Sequence, residues 1–135
     1  RKQRLNKIYR VKEGIVLENP ANLARLVRRE IDLLCVPPTI RGHRYLSYMV
    51  EQVAMDPERA AWITKDLYRE TARRFRTTWS AVAQSCWAAI TCCWGCEAGR
   101  ERFGVVAGRR PAGRPAPTDF IEAVARYVTG QHRPG

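Results

Sequence analysis

The sequence predicts an all-α domain, a compact bundle of about five to six helices that contains a helix-turn-helix. Three observations support this fold class. Apolar residues recur at intervals of three and four through most of the chain. No stretch longer than "GIVLE", residues 14–18, alternates in the manner of a strand. The prolines fall between the helical segments, where they are best tolerated.

The first two helical segments are separated by a pair of prolines. The segment "NLARLVRREIDLL", residues 22–34, places its apolar residues on one face, and Asn22 is a suitable N-cap. The prolines at 37–38 end this helix, because the residue before a proline avoids the helical conformation. The segment "HRYLSYMVEQVAM", residues 43–55, repeats the same apolar period and predicts the second helix.

The next two segments predict a helix-turn-helix, residues 64–94. Thr64 is expected to cap "KDLYRETARRF", and Thr77 or Thr78 to cap the helix that follows. Arg76 stands in the short turn where many such motifs place a glycine in a left-handed conformation. That conformation costs a non-glycine residue about 1 kcal/mol, so the turn is tolerable. The predicted buried stripes are Leu67, Tyr68, Thr71, Ala72 and Phe75, then Val82, Cys86, Ala89, Ile90 and Cys93.

The chain divides into three parts by composition. Residues 1–21 form a basic arm or linker, residues 22–130 the helical domain, and residues 131–135 a disordered tail. Within the domain, "GVVAGRRPAGRPAP" predicts a mobile basic loop because glycine, proline and arginine dominate it. Thr118 is expected to cap the last helix.

The charge favours a polyanionic partner. The 135 residues include 24 Lys and Arg against 13 Asp and Glu, a formal net charge of +11. Nucleic acid is the usual partner of such a domain. An anionic membrane surface is a weaker alternative, since no broad basic amphipathic helix is evident. No apolar run reaches the roughly 20 residues of a membrane span, so a cytoplasmic location is expected.

The positive charge is concentrated outside the second helix of the helix-turn-helix. Net charge is +5 over residues 1–14, +3 over 65–76 and +4 over 99–114, but −1 over 77–98. This distribution suits a clamp on the DNA backbone better than a reader of bases. The alternative is that these charges only solvate the surface.

The five cysteines do not predict a disulfide framework, because their number is odd. Cys93 and Cys96 form a single C-x-x-C, and Cys92 precedes Cys96 by one helical turn. A zinc site needs two further ligands, and both histidines are distant in sequence. No cofactor or metal is therefore expected. Packing of Cys86 and Cys93 as small apolar residues is the favoured interpretation, with metal or redox chemistry as the alternative.

Several motifs together indicate a family. They are "VPPTIRGHRYL" (36–46), "ITKDLY" (63–68), "ARRFRTTWSAV" (72–82), "RFG" (102–104) and "PTDFIEAVA" (117–125). In this order the chain resembles the carboxy-terminal DNA-binding domain of the sporulation response regulators, the stage zero sporulation protein A family. The resemblance implies a bacterial transcriptional regulator that binds a promoter element of double-stranded DNA, commonly as a homodimer. It also implies control by an upstream phosphoacceptor receiver domain.

The second helix departs from the family pattern. Where the family carries arginines, a glutamate and a histidine, this chain has Ala81, Ala83, Gln84, Trp87 and Ala88. An arginine bonded to guanine contributes about 1–3 kcal/mol of discrimination, and none remains on this helix. The resemblance therefore implies the family's scaffold with altered or weak sequence specificity.

The expected DNA contacts combine phosphate-binding cations with groups that approach the groove. They are Lys65, Arg69, Arg73, Arg74, Arg76, Thr77, Thr78, Trp79, Ser80, Gln84, Trp87, Arg100 and Arg102. The alternative function is a degenerate helix-turn-helix that binds a protein partner or a second copy. Trp87 favours it, since this ring is expected outside the buried stripe, beside Ala83 and Ala88. The other interpretation is that Trp87 folds against the loop at 99–114 as part of the core. No convergent catalytic group or phosphate-binding loop predicts an enzyme.

Overall fold

The fold is all-α, as predicted, and a small hairpin precedes its helices. A computed structural model describes residues 9–11, 14–16 and 20–130. Strands β1 (Tyr9–Val11) and β2 (Gly14–Val16) pair antiparallel, with Arg10 opposite Ile15. The remainder of the predicted arm and the predicted tail at 131–135 lie outside the described residues. The alternating stretch at 14–18 thus does contain a strand, although a short one.

Within residues 20–130, six α-helices follow the hairpin. They are α1 (Pro20–Leu33), α2 (Arg41–Met55), α3 (Tyr68–Arg74), α4 (Trp79–Trp94), α5 (Glu97–Ala107) and α6 (Pro117–Val128). A 3-10 helix (Pro57–Trp62) and one wider π turn (Ile63–Leu67) lead into α3. Helix α2 is central, because it packs against α1, α4 and α6. No helix of the described residues has both the length and the apolar composition needed to cross a membrane.

Three predicted helix starts are wrong. Asn22 is the third residue of α1, and Thr118 is the second residue of α6, so neither is a cap. Both helices begin instead at a proline, whose fixed φ suits the first helical position. Thr64 lies inside the π turn, where the chain is already helical from Pro57 onward.

The predicted buried stripes form the core. Val27, Ile31, Leu46, Val82 and Ile90 are fully buried, along with most of the other predicted positions. Leu26 and Phe75 are only half-buried. Burial of each large aliphatic side chain contributes roughly 1.5–3 kcal/mol, so these helix faces hold the bundle together.

A charged pair ties the first helix to the last two. The Arg102 guanidinium donates two hydrogen bonds to the carboxylate of Glu30, at 2.6 and 2.8 Å. Glu30 is buried, and the same guanidinium lies 5.5 Å from the centre of the Tyr127 ring. Phe103 and Phe120 stack beside this pair with ring centres 5.6 Å apart. Because Glu30 is desolvated, Arg102 is required to compensate its charge.

Helices α2 and α4 approach each other closely at Gly42 of α2. A Cβ added there would lie 2.3 Å from the Ser85 carbonyl oxygen and 2.8 Å from the Ala89 Cβ. Both contacts belong to α4, and the first is with its backbone. No side chain larger than hydrogen can occupy position 42 without separating α2 from α4.

We expect Gly42→Ala to lower the free energy of unfolding by about 2 kcal/mol or more, because overpacking costs about 1–3 kcal/mol. Urea denaturation followed by circular dichroism would measure this. Gly113→Ala is the matched control, since an added Cβ there meets no atom within 4 Å. A gain of about 1 kcal/mol for Gly42→Ala, the helix propensity of alanine alone, would contradict the close crossing.

Candidate nucleic-acid interface

Helices α3 and α4 form the predicted helix-turn-helix. Arg76, in the turn between them, has a φ of 54°, the left-handed conformation expected from the sequence. The Thr78 hydroxyl oxygen accepts a hydrogen bond from the Ala81 N–H at 3.0 Å, which makes Thr78 the N-cap of α4. The Thr77 N–H donates to the Ala72 carbonyl at 2.9 Å. These bonds fix the direction in which α4 leaves the turn.

The outer face of α4 carries no charged residue. Ser80, Gln84, Trp87, Ala88 and Thr91 are exposed along it at helical spacing. Lys, Arg, Asp and Glu are all missing from positions 77–96. The face that would meet a DNA groove therefore offers hydroxyl, amide and aromatic groups but no cation of its own.

A stripe of cations lies beside this neutral face. Lys65, Arg69 and Arg73 are spaced four residues apart along the π turn and α3, and Arg76 continues the line into the turn. All four side chains are exposed. Within residues 21–130 none of the four forms an ion pair. Their charge is thus available to an external anion.

The two acidic residues of this segment, Asp66 and Glu70, pair with Arg59 and not with the cation stripe. Glu70 accepts hydrogen bonds from the Arg59 guanidinium and from the Tyr48 hydroxyl. The bond from Arg59 is the main reason that the pKa of Glu70 is lowered. Asp66 also lies 3.8 Å from an Arg59 nitrogen. Arg59 thereby compensates the two acidic residues, and the cation stripe keeps its own charge.

Two predicted contacts are already engaged in the bundle near the turn. The Trp79 indole N–H donates to the Thr64 carbonyl at 3.1 Å, and the Trp79 ring packs on Tyr68. The Arg74 guanidinium lies 5.0 Å from the centre of the Tyr48 ring, a cation–π contact with α2. Both side chains remain partly exposed, but their polar groups orient the motif.

Two further predicted contacts, Arg100 and Arg102, lie on α5. Arg100 is exposed, and it donates a hydrogen bond to the Trp94 carbonyl at 2.8 Å, at the end of α4. Arg102 is bonded to buried Glu30, as described above. The structure does not bring either residue into the stripe on α3.

Arg114 lies in the basic loop at 99–114, whose charge favoured backbone contacts, but it was not among the individually expected contacts. Its guanidinium carbon lies 4.9 Å from the centre of the Trp87 ring, on the outer face of α4. Its Nη1 donates to the Thr91 hydroxyl oxygen at 2.9 Å. Trp87 is 41% exposed beneath it. The predicted mobile loop is thus attached to α4 at this point. The sequence indicated this contact through the surplus charge of residues 99–114 and through the alternative in which Trp87 folds against that loop.

The comparison with known families agrees with this arrangement. A family model described as "Sporulation initiation factor Spo0A C terminal" matches residues 27–128. The chain belongs to this family. It is therefore a DNA-binding effector domain of the sporulation-regulator type, as the resemblance implied. The matched range includes the cation stripe, the neutral face of α4 and Arg114.

The cysteines of this Spo0A C-terminal domain fall into two groups. Cys86 and Cys93 are buried, which raises the pKa of each thiol to about 12. Cys96 caps α5, and its sulfur accepts from the Gly99 N–H at 3.3 Å. The pKa of Cys96 is lowered, mainly by the neighbouring Cys35 thiol and then by the Gly99 N–H. No metal-binding group of three or more His, Cys, Asp or Glu occurs among the described residues.

We expect iodoacetamide to alkylate Cys96 of the folded domain at lower pH than an ordinary thiol, because its thiolate is stabilised. Cys86 and Cys93 should react only after unfolding. Peptide mass spectrometry across a pH series would measure each rate. In Cys35→Ala the rate of Cys96 should rise at higher pH than in the parent, since the side-chain donor at position 35 is removed. An unchanged profile would contradict the role of Cys35.

Proposed function

We propose that the domain binds double-stranded DNA mainly through phosphates, with altered or weak sequence specificity. Helix α4 would lie in or against the major groove, and the stripe of Lys65, Arg69, Arg73 and Arg76 along the adjoining backbone. The observation that carries the proposal is the position of four unpaired cations beside a neutral exposed helix. Phosphate contacts of this kind supply affinity and orientation but no direct sequence information.

Weak specificity is supported by the groups that remain available on α4. Gln84 is exposed and its amide could read an adenine, and Ser80 could donate to either kind of acceptor. The Thr78 oxygen and the Trp79 N–H have partners within the fold. Few polar groups of α4 are therefore free to read base edges, and DNA shape would contribute more of any preference.

The alternative function, a module for a protein partner or a homodimer, depends on an apolar outer face of α4. Trp87 and Ala88 are exposed, as that alternative requires. Arg114 covers part of Trp87, however, and interrupts the apolar patch with a charge. The DNA proposal is favoured because a desolvated arginine in a protein interface would need a carboxylate from the partner.

We expect binding to a random-sequence duplex to fall steeply with salt. Each phosphate contact contributes about −0.9 to the slope of log K against log salt concentration. Replacing Lys65, Arg69 and Arg73 together by Gln should make that slope shallower by about 2–3. Fluorescence anisotropy across a salt series, repeated with a duplex that carries the family's promoter element, would measure slope and specificity together.

Arg126→Gln is the control for this series. Arg126 is an exposed arginine of α6 that pairs with Glu122, so its replacement removes one positive charge away from the stripe. Its slope should match that of the parent domain. If the parent binds neither duplex at low salt, the DNA proposal fails and the protein-partner alternative takes its place. Much tighter binding to the promoter element at high salt would contradict weak specificity.

Arg76→Gly should affect stability and binding in opposite directions. Glycine relieves about 1–2 kcal/mol of left-handed strain, but it adds about 0.4–1 kcal/mol of unfolded-state entropy. We expect the free energy of unfolding to rise by up to about 1 kcal/mol, while affinity for DNA falls with the lost cation. Thermal denaturation and anisotropy on the same sample would test both. Unchanged affinity would remove Arg76 from the interface.

A further inference from the structure

We propose that Arg114 is the DNA-contacting cation of the α4 face and that Trp87 positions it there. The inference rests on the proposed function and names a contact within it. In this arrangement a loop residue supplies the charge that α4 itself lacks. The expected ligand is an acceptor on the duplex, either a guanine edge or a phosphate oxygen, because these acceptors match a guanidinium.

The position of Arg114 is fixed by a short network on the outer face. The guanidinium covers the Trp87 ring at 4.9 Å, and Nη1 donates to the Thr91 hydroxyl oxygen at 2.9 Å. The Thr91 hydroxyl in turn donates to the Trp87 carbonyl at 2.9 Å. Both residues that Arg114 contacts in this network, Trp87 and Thr91, lie on α4. The guanidinium is therefore oriented by the same helix that would face the groove.

The contacts leave most of the binding capacity of Arg114 unused. A guanidinium has five N–H donors in one plane, and the bond to Thr91 is the one hydrogen bond that the described residues give it. The stack on Trp87 engages the face of the guanidinium rather than its edge. Arg114 is exposed, and no carboxylate within residues 21–130 pairs with it. Its free edge and its charge can both serve an external acceptor.

The loop that carries Arg114 is constrained on both sides. Gly108, with a φ of 77°, ends α5 by donating its N–H to the Gly104 carbonyl. Pro115 follows Arg114 directly and disfavours a helical conformation at position 114. Pro117 then begins α6. These restrictions lower the entropy that is lost when Arg114 is held in place for a ligand.

Two variants of this loop separate the effect of its net charge on DNA binding from the effect of the stacked position of Arg114. Arg110 is an exposed arginine of the same loop, and it makes no hydrogen bond or ion pair with the described residues. Arg114→Gln and Arg110→Gln therefore remove equal charge from one loop. Both variants would be compared with the parent for binding to random-sequence and promoter-element duplexes by anisotropy, at ~100 mM salt, where phosphate contacts remain strong.

We expect Arg114→Gln to weaken binding about tenfold, and Arg110→Gln about twofold. A loss that is equal for all duplexes, with a salt slope shallower by about 0.9, would assign the contact to phosphate. A loss confined to one of the two duplexes would assign it to a base edge. Either pattern supports the contact.

Trp87 is tested as a positioning residue by two substitutions. Trp87→Leu removes the aromatic face and should weaken binding about as much as Arg114→Gln, whereas Trp87→Phe keeps a ring and should retain most affinity. Combining Trp87→Leu with Arg114→Gln should add little further loss, because the two side chains act together. Thermal melting of each variant would show whether the fold is intact.

Three results would overturn the proposal. The first is unchanged binding by Arg114→Gln while the triple variant of Lys65, Arg69 and Arg73 still weakens it, which would leave the proposed function standing. The second is an equal loss for Arg110→Gln and Arg114→Gln, which would mean that only the net charge of the loop matters. The third is an absence of binding by the parent domain, which would remove the proposed function as well.

Discussion

The backbone contact between α2 and α4 at Gly42 is the constraint on which the rest of the structure depends. It places the Ser85 carbonyl of α4 where a side chain of α2 would otherwise be. Because α2 also packs against α1 and α6, this one crossing fixes the position of α4 relative to the whole bundle. The exposed face of α4 and its distance from α3 are consequences of that crossing. A larger residue at position 42 would displace α4, and the exposed face of α4 would move with it.

The second organising feature is the separation of charges around α3. Arg59 and Tyr48 bind Glu70, and Glu30 binds Arg102. The bond to Arg59 engages Glu70, a carboxylate of α3 that would otherwise be available to the outer cations, whereas the pair of Glu30 and Arg102 lies away from them. What remains exposed on the side of the motif is therefore strongly positive, although the helix itself contains both signs. Internal ion pairs here decide which charges a ligand can meet, in addition to stabilising the fold.

Helix α4 contains no charged residue, and the cations around it come from other parts of the chain. The stripe on α3 flanks α4 on one side, and Arg114 lies over it from the loop between α5 and α6. A face built in this way has its charge in positions suited to the backbone, with few groups left for base edges. The chain thus keeps the family's domain, and the cations around the outer face of α4 come from α3 and from the loop that carries Arg114.

The sequence by itself determined the all-α class, the buried stripes and the helix-turn-helix, including the left-handed turn at Arg76. These features follow from local periodicity and capping, which act over a few residues. The helix starts at Pro20 and Pro117 were not predicted, because Asn22 and Thr118, which are also favourable caps, follow these prolines within two positions. Tertiary structure alone decided that Arg102 is bonded to Glu30 and that Arg114 lies over Trp87. These partners are 72 and 27 positions apart in the chain, and no periodic pattern links such distant residues until the bundle has formed.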